Sequence, residues 1–163
     1  MSTNGSVETQ LVDSALRTWQ QAVDRATKLF SRLNEQELER EVAPEKNRLI
    51  YLWGHLLAVS DAMYAQLRLG ERLYPEFDAP FLKAPDKTVP LPSAKEVKAA
   101  WDEVHERLRV DMAKLTPAEW VERHAVVSEE DFVKEPHRNR LSVVLSRTGH
   151  VSYHVGQLVL LKK

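Results

Sequence analysis

The stretch PEFDAPFLKAPDKTVPLP, residues 75–92, decides the fold of this chain, because its five prolines separate two helical segments. Proline lacks an amide hydrogen and disfavours the helical conformation in the residue before it, so the stretch predicts a long irregular connection. A connection of this length can run along the side of a helical bundle. The helices that it joins can therefore lie parallel instead of forming a hairpin.

The segments on either side of this connection predict four long amphipathic helices. Apolar residues recur every three or four positions over residues 8–33, which indicates the first helix. The second is predicted over residues 47–70, with Asn47 as its N-cap. Ser93 has the capping-box pattern and begins a third helix, and the fourth is predicted over residues 141–161.

Two shorter segments contain the same helix-start signal. Residues 34–37 and 116–119 both have the spacing of a capping box. An Asn-Arg-Leu triplet follows each of them, at residues 47–49 and 139–141, and a Gly-His pair lies further along. The match indicates either two related helix pairs or coincidence. Residues 121–138 are charged and are predicted to form a loop.

The composition excludes several classes of protein. With 43% hydrophobic and 29% charged residues, the chain has the profile of a soluble globular domain. Its formal net charge of −1 predicts no attraction to nucleic acid or to an anionic membrane, and no apolar run is long enough to span a bilayer. The N-terminus lacks a secretory signal pattern. The chain has no cysteine, which excludes disulfides, thiolate ligands and a cysteine nucleophile and favours a cytoplasmic location.

These observations together predict an all-α fold. We expect a four-helix bundle with a long Pro-rich crossover between helices 2 and 3. It should form a single domain over residues 1–163, with a flexible N-terminus over residues 1–7.

Two histidines near the C-terminus have a spacing typical of metal ligands. In GHVSYHVGQ, residues 149–157, His150 and His154 are four positions apart and lie on one face of the predicted helix. Residues 149–161 carry no charged side chain, so we expect this helix to be buried on nearly all sides. The alternative is that these are surface histidines.

His55 lies in a second uncharged stretch, residues 49–60, and should be buried too. A hydrogen-bonded core histidine is the alternative. Three imidazoles from two helices can hold a divalent metal and leave one coordination position open, which is typical of a catalytic site. Gly54 and Gly149 each precede one of these histidines, and we expect the missing β-carbons to let neighbouring helices approach.

Side chains around the three histidines are candidates for supporting roles. Gln157 could donate to a bound water or substrate, or it could only pack between helices. The Tyr51 hydroxyl could reach the rim of the site, or it could lie at the edge of the core. Tyr153 points away from both neighbouring histidines, which favours packing. His105 is predicted at the rim of the bundle.

The His-x-x-x-His-x-Gly-Gln segment over residues 150–157, with an upstream Leu-x-x-His ending at His55, resembles the DinB/YfiT-like family of predicted metalloenzymes. The resemblance covers nearly the whole chain and implies a four-helix bundle with nickel, zinc or iron bound by His55, His150 and His154. It also implies chemistry with a low-molecular-weight thiol, because some members transfer thiols such as bacillithiol, mycothiol or glutathione, or use them in isomerisation.

The leading functional hypothesis is a metal-dependent enzyme acting on a small-molecule substrate, as a thiol-dependent S-transferase or a thiol-assisted isomerase. The alternatives are a metal-dependent hydrolase, a non-enzymatic metal or small-ligand binding module, and a structural protein whose histidines only pack. Four tryptophans are many for one small core, so some of them are expected at a homodimer interface. No nucleic acid or membrane partner is expected.

Overall fold

The computed structural model describes residues 5–161, and within this range the chain is helical without any β-strand. The predicted all-α class is therefore confirmed. None of the described helices is long and apolar enough to cross a membrane. In chain order the helices are α1 (Val7–Phe30), α2 (Glu35–Leu38), α3 (Leu49–Gln66), α4 (Ala94–Met112), α5 (Pro117–Trp120), α6 (Glu129–Lys134) and α7 (Arg140–Val159).

The four long helices α1, α3, α4 and α7 form the bundle. Helix α1 packs along α7, and α3 packs against both α4 and α7. Pairs of hydrogen bonds give the direction of α3 and α4, because Ser60 contacts His105 and, further along both helices, Tyr64 donates to Asp111. Since both residue numbers rise together, α3 and α4 run parallel. The connection between them is the crossover that the prolines predict.

All four tryptophans lie inside a single chain. Trp19, Trp53, Trp101 and Trp120 are at most 3% exposed, and Trp53 stacks on Phe30 with ring centroids 5.0 Å apart. The expectation that some tryptophans face a second subunit is therefore wrong. Self-association stays a prediction, but the tryptophans no longer support it.

The start of α3 differs from the sequence prediction. Asn47 is not the N-cap, because Arg48 takes that position without a side-chain cap. The amide of Arg48 donates instead to the Asp86 carboxylate at 2.7 Å, and the amide of Leu49 donates to the Arg40 carbonyl at 2.9 Å. Hydrogen bonds to distant segments therefore satisfy the free backbone amides at the start of α3, and a local capping pattern in the sequence cannot reveal such bonds.

Other boundaries also differ from the predictions. Helix α1 ends at Phe30 rather than Leu33, and α3 ends at Gln66 because Arg68 adopts a left-handed conformation with φ 55°. The predicted loop over residues 121–138 contains α6, which Ser128 caps. Ser6 caps α1, so the helix begins within the segment predicted to be flexible, and residues 1–4 of that segment lie outside the described residues.

The two halves of the chain share a local arrangement. Both predicted capping boxes are present, at the starts of α2 and α5. Each short helix is followed by an isolated β-bridge, Glu41 with Arg48 and Arg123 with Asn139, immediately before a long helix. This correspondence favours two related helix pairs over a coincidental match of sequence.

Candidate metal centre

Three imidazoles converge between α3 and α7. The Nε2 atom of His150 lies 3.3 Å from that of His55 and 3.2 Å from that of His154. One ring nitrogen from each residue can be chosen so that all three lie within 4.8 Å of one another. The prediction that these histidines share one site is consistent with this geometry. Within residues 5–161 the cluster includes no carboxylate.

The hydrogen bonds of the outer ring nitrogens determine which nitrogens remain available. His55 Nδ1 lies 3.1 Å from the carbonyl oxygen of Phe81, which can only accept, so Nδ1 carries the proton. His154 Nδ1 lies 2.8 Å from the amide oxygen of Gln157 and is likewise the donor. In the neutral rings, the Nε2 atoms of His55 and His154 therefore both present lone pairs to His150.

A neutral His150 cannot satisfy both of these lone pairs, because its Nε2 atom carries one proton at most. A cation held by all three nitrogens would satisfy them together. Three nitrogens bound tetrahedrally at about 2.1 Å from one ion lie about 3.4 Å apart, close to the 3.2 and 3.3 Å seen here. The donor set therefore suits a divalent metal, and among residues 5–161 no fourth ligand joins the cluster.

The electrostatics keep the three rings in the metal-binding form. Burial lowers the pKa of His55, His150 and His154, and the neighbouring histidines together with Arg147 lower that of His150 further, to about 4. Neutral imidazole is the form that binds a metal, so the cluster is ready to bind at neutral pH.

A family model described as the DinB superfamily matches residues 18–158, and a comparison with curated proteins finds no match. The chain belongs to the DinB superfamily. The match begins within α1, ends within α7 and includes all three clustered histidines, so the resemblance in the sequence is confirmed.

In this DinB-superfamily chain, the crossover supports the histidine cluster. Residues Ala79–Lys83 form a π-helical turn, and this turn supplies the Phe81 carbonyl that accepts from His55. The Phe81 ring lies over Gly54 so closely that a β-carbon there would be 2.2 Å from it. The absence of a side chain at Gly54 therefore lets the crossover approach α3. Sequence reasoning missed Phe81, because a backbone carbonyl has no residue-type signal.

Several expectations about residues near the cluster need correction. No atom lies within 4 Å of a β-carbon built at Gly149, so that glycine permits no close approach. The C-terminal part of α7 is not buried on nearly all sides, since Tyr153 is 63% and Leu160 is 85% exposed. His105 is buried rather than at the rim, and its two ring nitrogens contact Ser60 and the Trp101 carbonyl.

The two candidates for supporting roles have different surroundings. Gln157 contacts His154 directly, so it orients a clustered ring rather than only packing between helices. The Tyr51 hydroxyl donates to the Ala84 carbonyl at 2.8 Å, which joins α3 to the crossover. Tyr51 therefore acts on the site only through the position of the crossover.

A cavity of about 600 Å³ opens beside His154 in this DinB-superfamily protein. Its walls are Leu52, Tyr153, Gln157, Leu160 and the connection before α3, residues 42–47. The connection before α3 lines this cavity, whereas neither the crossover nor the loop after α5 contributes a residue to its wall. A groove of about 620 Å³ lies between α2 and the Pro-rich segment and contains no histidine, so we assign it no part in the site.

Proposed function

We propose that this protein is a metal-dependent enzyme in which His55, His150 and His154 bind one divalent ion through their Nε2 atoms. The observation that carries the proposal is the convergence of three nitrogens whose lone pairs no protein hydrogen bond can satisfy together. Nickel, zinc and iron are the candidate ions. The ion would lower the pKa of a thiol or water bound at its remaining coordination position and present that group as a nucleophile.

We favour a thiol over water as that nucleophile for a reason of charge. Three neutral imidazoles leave the full positive charge of the ion uncompensated, since within residues 5–161 no carboxylate lies in the cluster. Such a site favours an anionic fourth ligand, and a thiolate is the softer of the candidates. The chain contains no cysteine, so the thiol would have to come from a small molecule.

The proposed reaction is therefore S-transfer from a low-molecular-weight thiol to a small electrophile, or an isomerisation that such a thiol assists. In the transfer, the thiolate sulfur forms a bond to an electrophilic carbon, and the leaving group departs with the bonding electron pair. The cavity beside His154 is the space for the electrophile. Leu52, Tyr153 and Leu160 on its wall suit an apolar organic group, and Glu45 and Lys46 place charged side chains at the same cavity.

The test uses cobalt as a spectroscopic probe. The Co²⁺-loaded protein is titrated with glutathione and with 2-mercaptoethanol, and a thiolate-to-cobalt charge-transfer band is expected. The band should be absent in His154→Ala and retained in Tyr153→Phe, the matched control, because Tyr153 lines the cavity without belonging to the cluster. If no thiol changes the spectrum while a simple ester or amide is hydrolysed, the protein is a hydrolase. If neither occurs, it is a binding module.

A further inference from the structure

Arg147 lies on α7 one turn before His150 and has an unusual environment for a partly buried arginine. Its Nε atom is buried and has no hydrogen-bond partner within residues 5–161, and its Nη2 atom donates only to the amide oxygen of Gln66, at 3.3 Å. Burial lowers the pKa of Arg147, but a guanidinium stays protonated in proteins. The side chain is therefore a positive charge without a counter-ion among the described residues.

Other partly buried arginines in this chain do have carboxylate partners. Arg48 pairs with Asp86 at 2.7 Å, Arg72 with Asp78 at 2.6 Å, and Arg140 with Glu122 at 3.1 Å. Leaving a buried charge unpaired is costly, because the low-dielectric interior does not replace its hydration. The contrast points to a partner for Arg147 other than the residues that the structure describes.

The cavity beside Arg147 is lined by polar side chains that carry no negative charge and by two valines. A cavity of about 220 Å³ is lined by Arg147, Gln66, Ser142, Ser146, His124 and two valines, with no acidic side chain. His124 Nδ1 accepts from the Val126 amide at 3.2 Å, so the proton of the neutral ring lies on Nε2 and is available for donation. Burial lowers the pKa of His124, and the nearby guanidinium groups of Arg138, Arg123 and Arg68 lower it further.

We propose that this cavity, which we call the Arg147 cavity, binds the carboxylate of a small organic acid. A carboxylate matches the planar guanidinium, and it carries one charge, as Arg147 does. Arg123 and Arg138 already pair with Glu129 and Glu135, at 3.6 and 3.0 Å, so Arg147 is the guanidinium lining this cavity that lacks a carboxylate partner among the described residues.

The position of the cavity links it to the histidine cluster, and this part rests on the proposed function. Three residues on a helix correspond to a rise of about 4.5 Å and nearly one full turn, so Arg147 and His150 lie on adjacent turns of the same face. A thiol or electrophile with a carboxylate two or three carbons from its reactive atom could reach both. The Arg147 cavity would thus select acidic substrates and fix their orientation.

The first experiment uses the metal-free protein, so its outcome does not depend on metal binding. Propionate is titrated while the Arg147 Nε–H signal is followed by nitrogen-15 NMR, and a saturable shift is expected. In Arg147→Met, the affinity for propionate, measured from the remaining signals, should fall at least 10-fold. In Arg25→Lys, which replaces an exposed arginine on α1, this affinity should be unchanged. No saturable shift in the wild-type protein, or preferential binding of inorganic phosphate, would overturn the proposal.

The second experiment addresses the link to the metal. Co²⁺-loaded protein is titrated with 3-mercaptopropionate, which carries a carboxylate, and with ethanethiol, which does not. The wild type should bind 3-mercaptopropionate at least 10-fold more tightly than ethanethiol, and Arg147→Met should not. Equal affinities in the wild type would refute the link. If neither thiol binds the cobalt, the thiol hypothesis fails, while the propionate result still decides whether the Arg147 cavity is an anion site.

Discussion

Gly54→Ala tests whether the crossover and the histidine cluster depend on each other. The added β-carbon would lie 2.2 Å from ring atoms of Phe81, and this ring is fully buried, so it cannot swing into solvent. Overpacking of this kind costs about 1–3 kcal/mol, whereas replacing a mid-helix glycine by alanine gains roughly 0.5–1 kcal/mol in helix propensity. We therefore expect a net loss of up to about 2.5 kcal/mol in the free energy of unfolding.

Gly149→Ala is the matched control. It also lies in a helix immediately before a clustered histidine, but no atom lies within 4 Å of its β-carbon. Only the propensity gain should remain, so this variant should be roughly 0.5–1 kcal/mol more stable than the wild type. Urea denaturation of the metal-free proteins measures both changes. A Gly54→Ala variant that is as stable as Gly149→Ala would refute the close-contact argument.

The same pair of variants should differ in metal affinity. Moving the Phe81 ring displaces its carbonyl, which is 3.1 Å from His55 Nδ1 and holds that ring in orientation. Losing such an outer hydrogen bond typically lowers metal affinity about 10- to 100-fold. Competition against a chromophoric chelator should show this loss in Gly54→Ala and not in Gly149→Ala. Equal affinities would mean that the crossover does not position His55.

Other predictions address the metal, pH and assembly. Chelation should lower the melting temperature by roughly 5–10 °C without unfolding the protein, and His150→Ala should abolish this change. Gln157→Leu should weaken metal binding about 10- to 100-fold in a competition titration, whereas Tyr153→Phe should not. His105 has a pKa of about 4 when folded and about 6.5 when unfolded, so its neutral form contributes stability above pH 6.5. As the pH falls from 6.5 to 4, the free energy of unfolding should decrease by roughly 3 kcal/mol because of His105. Urea denaturation of the wild type and of His105→Gln measures this decrease as the difference between the two proteins. We expect a homodimer, so light scattering should give twice the mass of one chain, and a single-chain mass would contradict this prediction.

The sequence predicts the bundle well because its evidence is local. Apolar periodicity, capping boxes and prolines each act over a few residues, and they correctly indicate the four long helices and the parallel pair that the crossover joins. The histidine spacing is local within α7 as well. The uncharged stretches make it possible that His55 meets His150 and His154, and the family resemblance implies that it does, because nothing else in the sequence fixes which helix faces meet.

The features that the sequence could not reveal depend on contacts between distant segments. Asp86 replaces a capping side chain at the start of α3 from 38 positions away, and the Phe81 carbonyl meets His55 from 26 positions away. The lack of charge over residues 149–161 overestimates burial, since the uncharged residues Tyr153 and Leu160 are exposed. Absence of charge permits burial but does not require it, since much of any protein surface is apolar.

The division between helices and connections has a consequence for how such a protein can evolve. All three clustered histidines lie within the long helices, whereas the walls of the adjoining cavity come partly from residues 42–47 and those of the Arg147 cavity partly from the loop around His124. Connections tolerate substitution, insertion and deletion far better than packed helices do. Under the proposed function, a lineage built on this plan can therefore exchange one substrate for another while the three histidines are inherited unchanged.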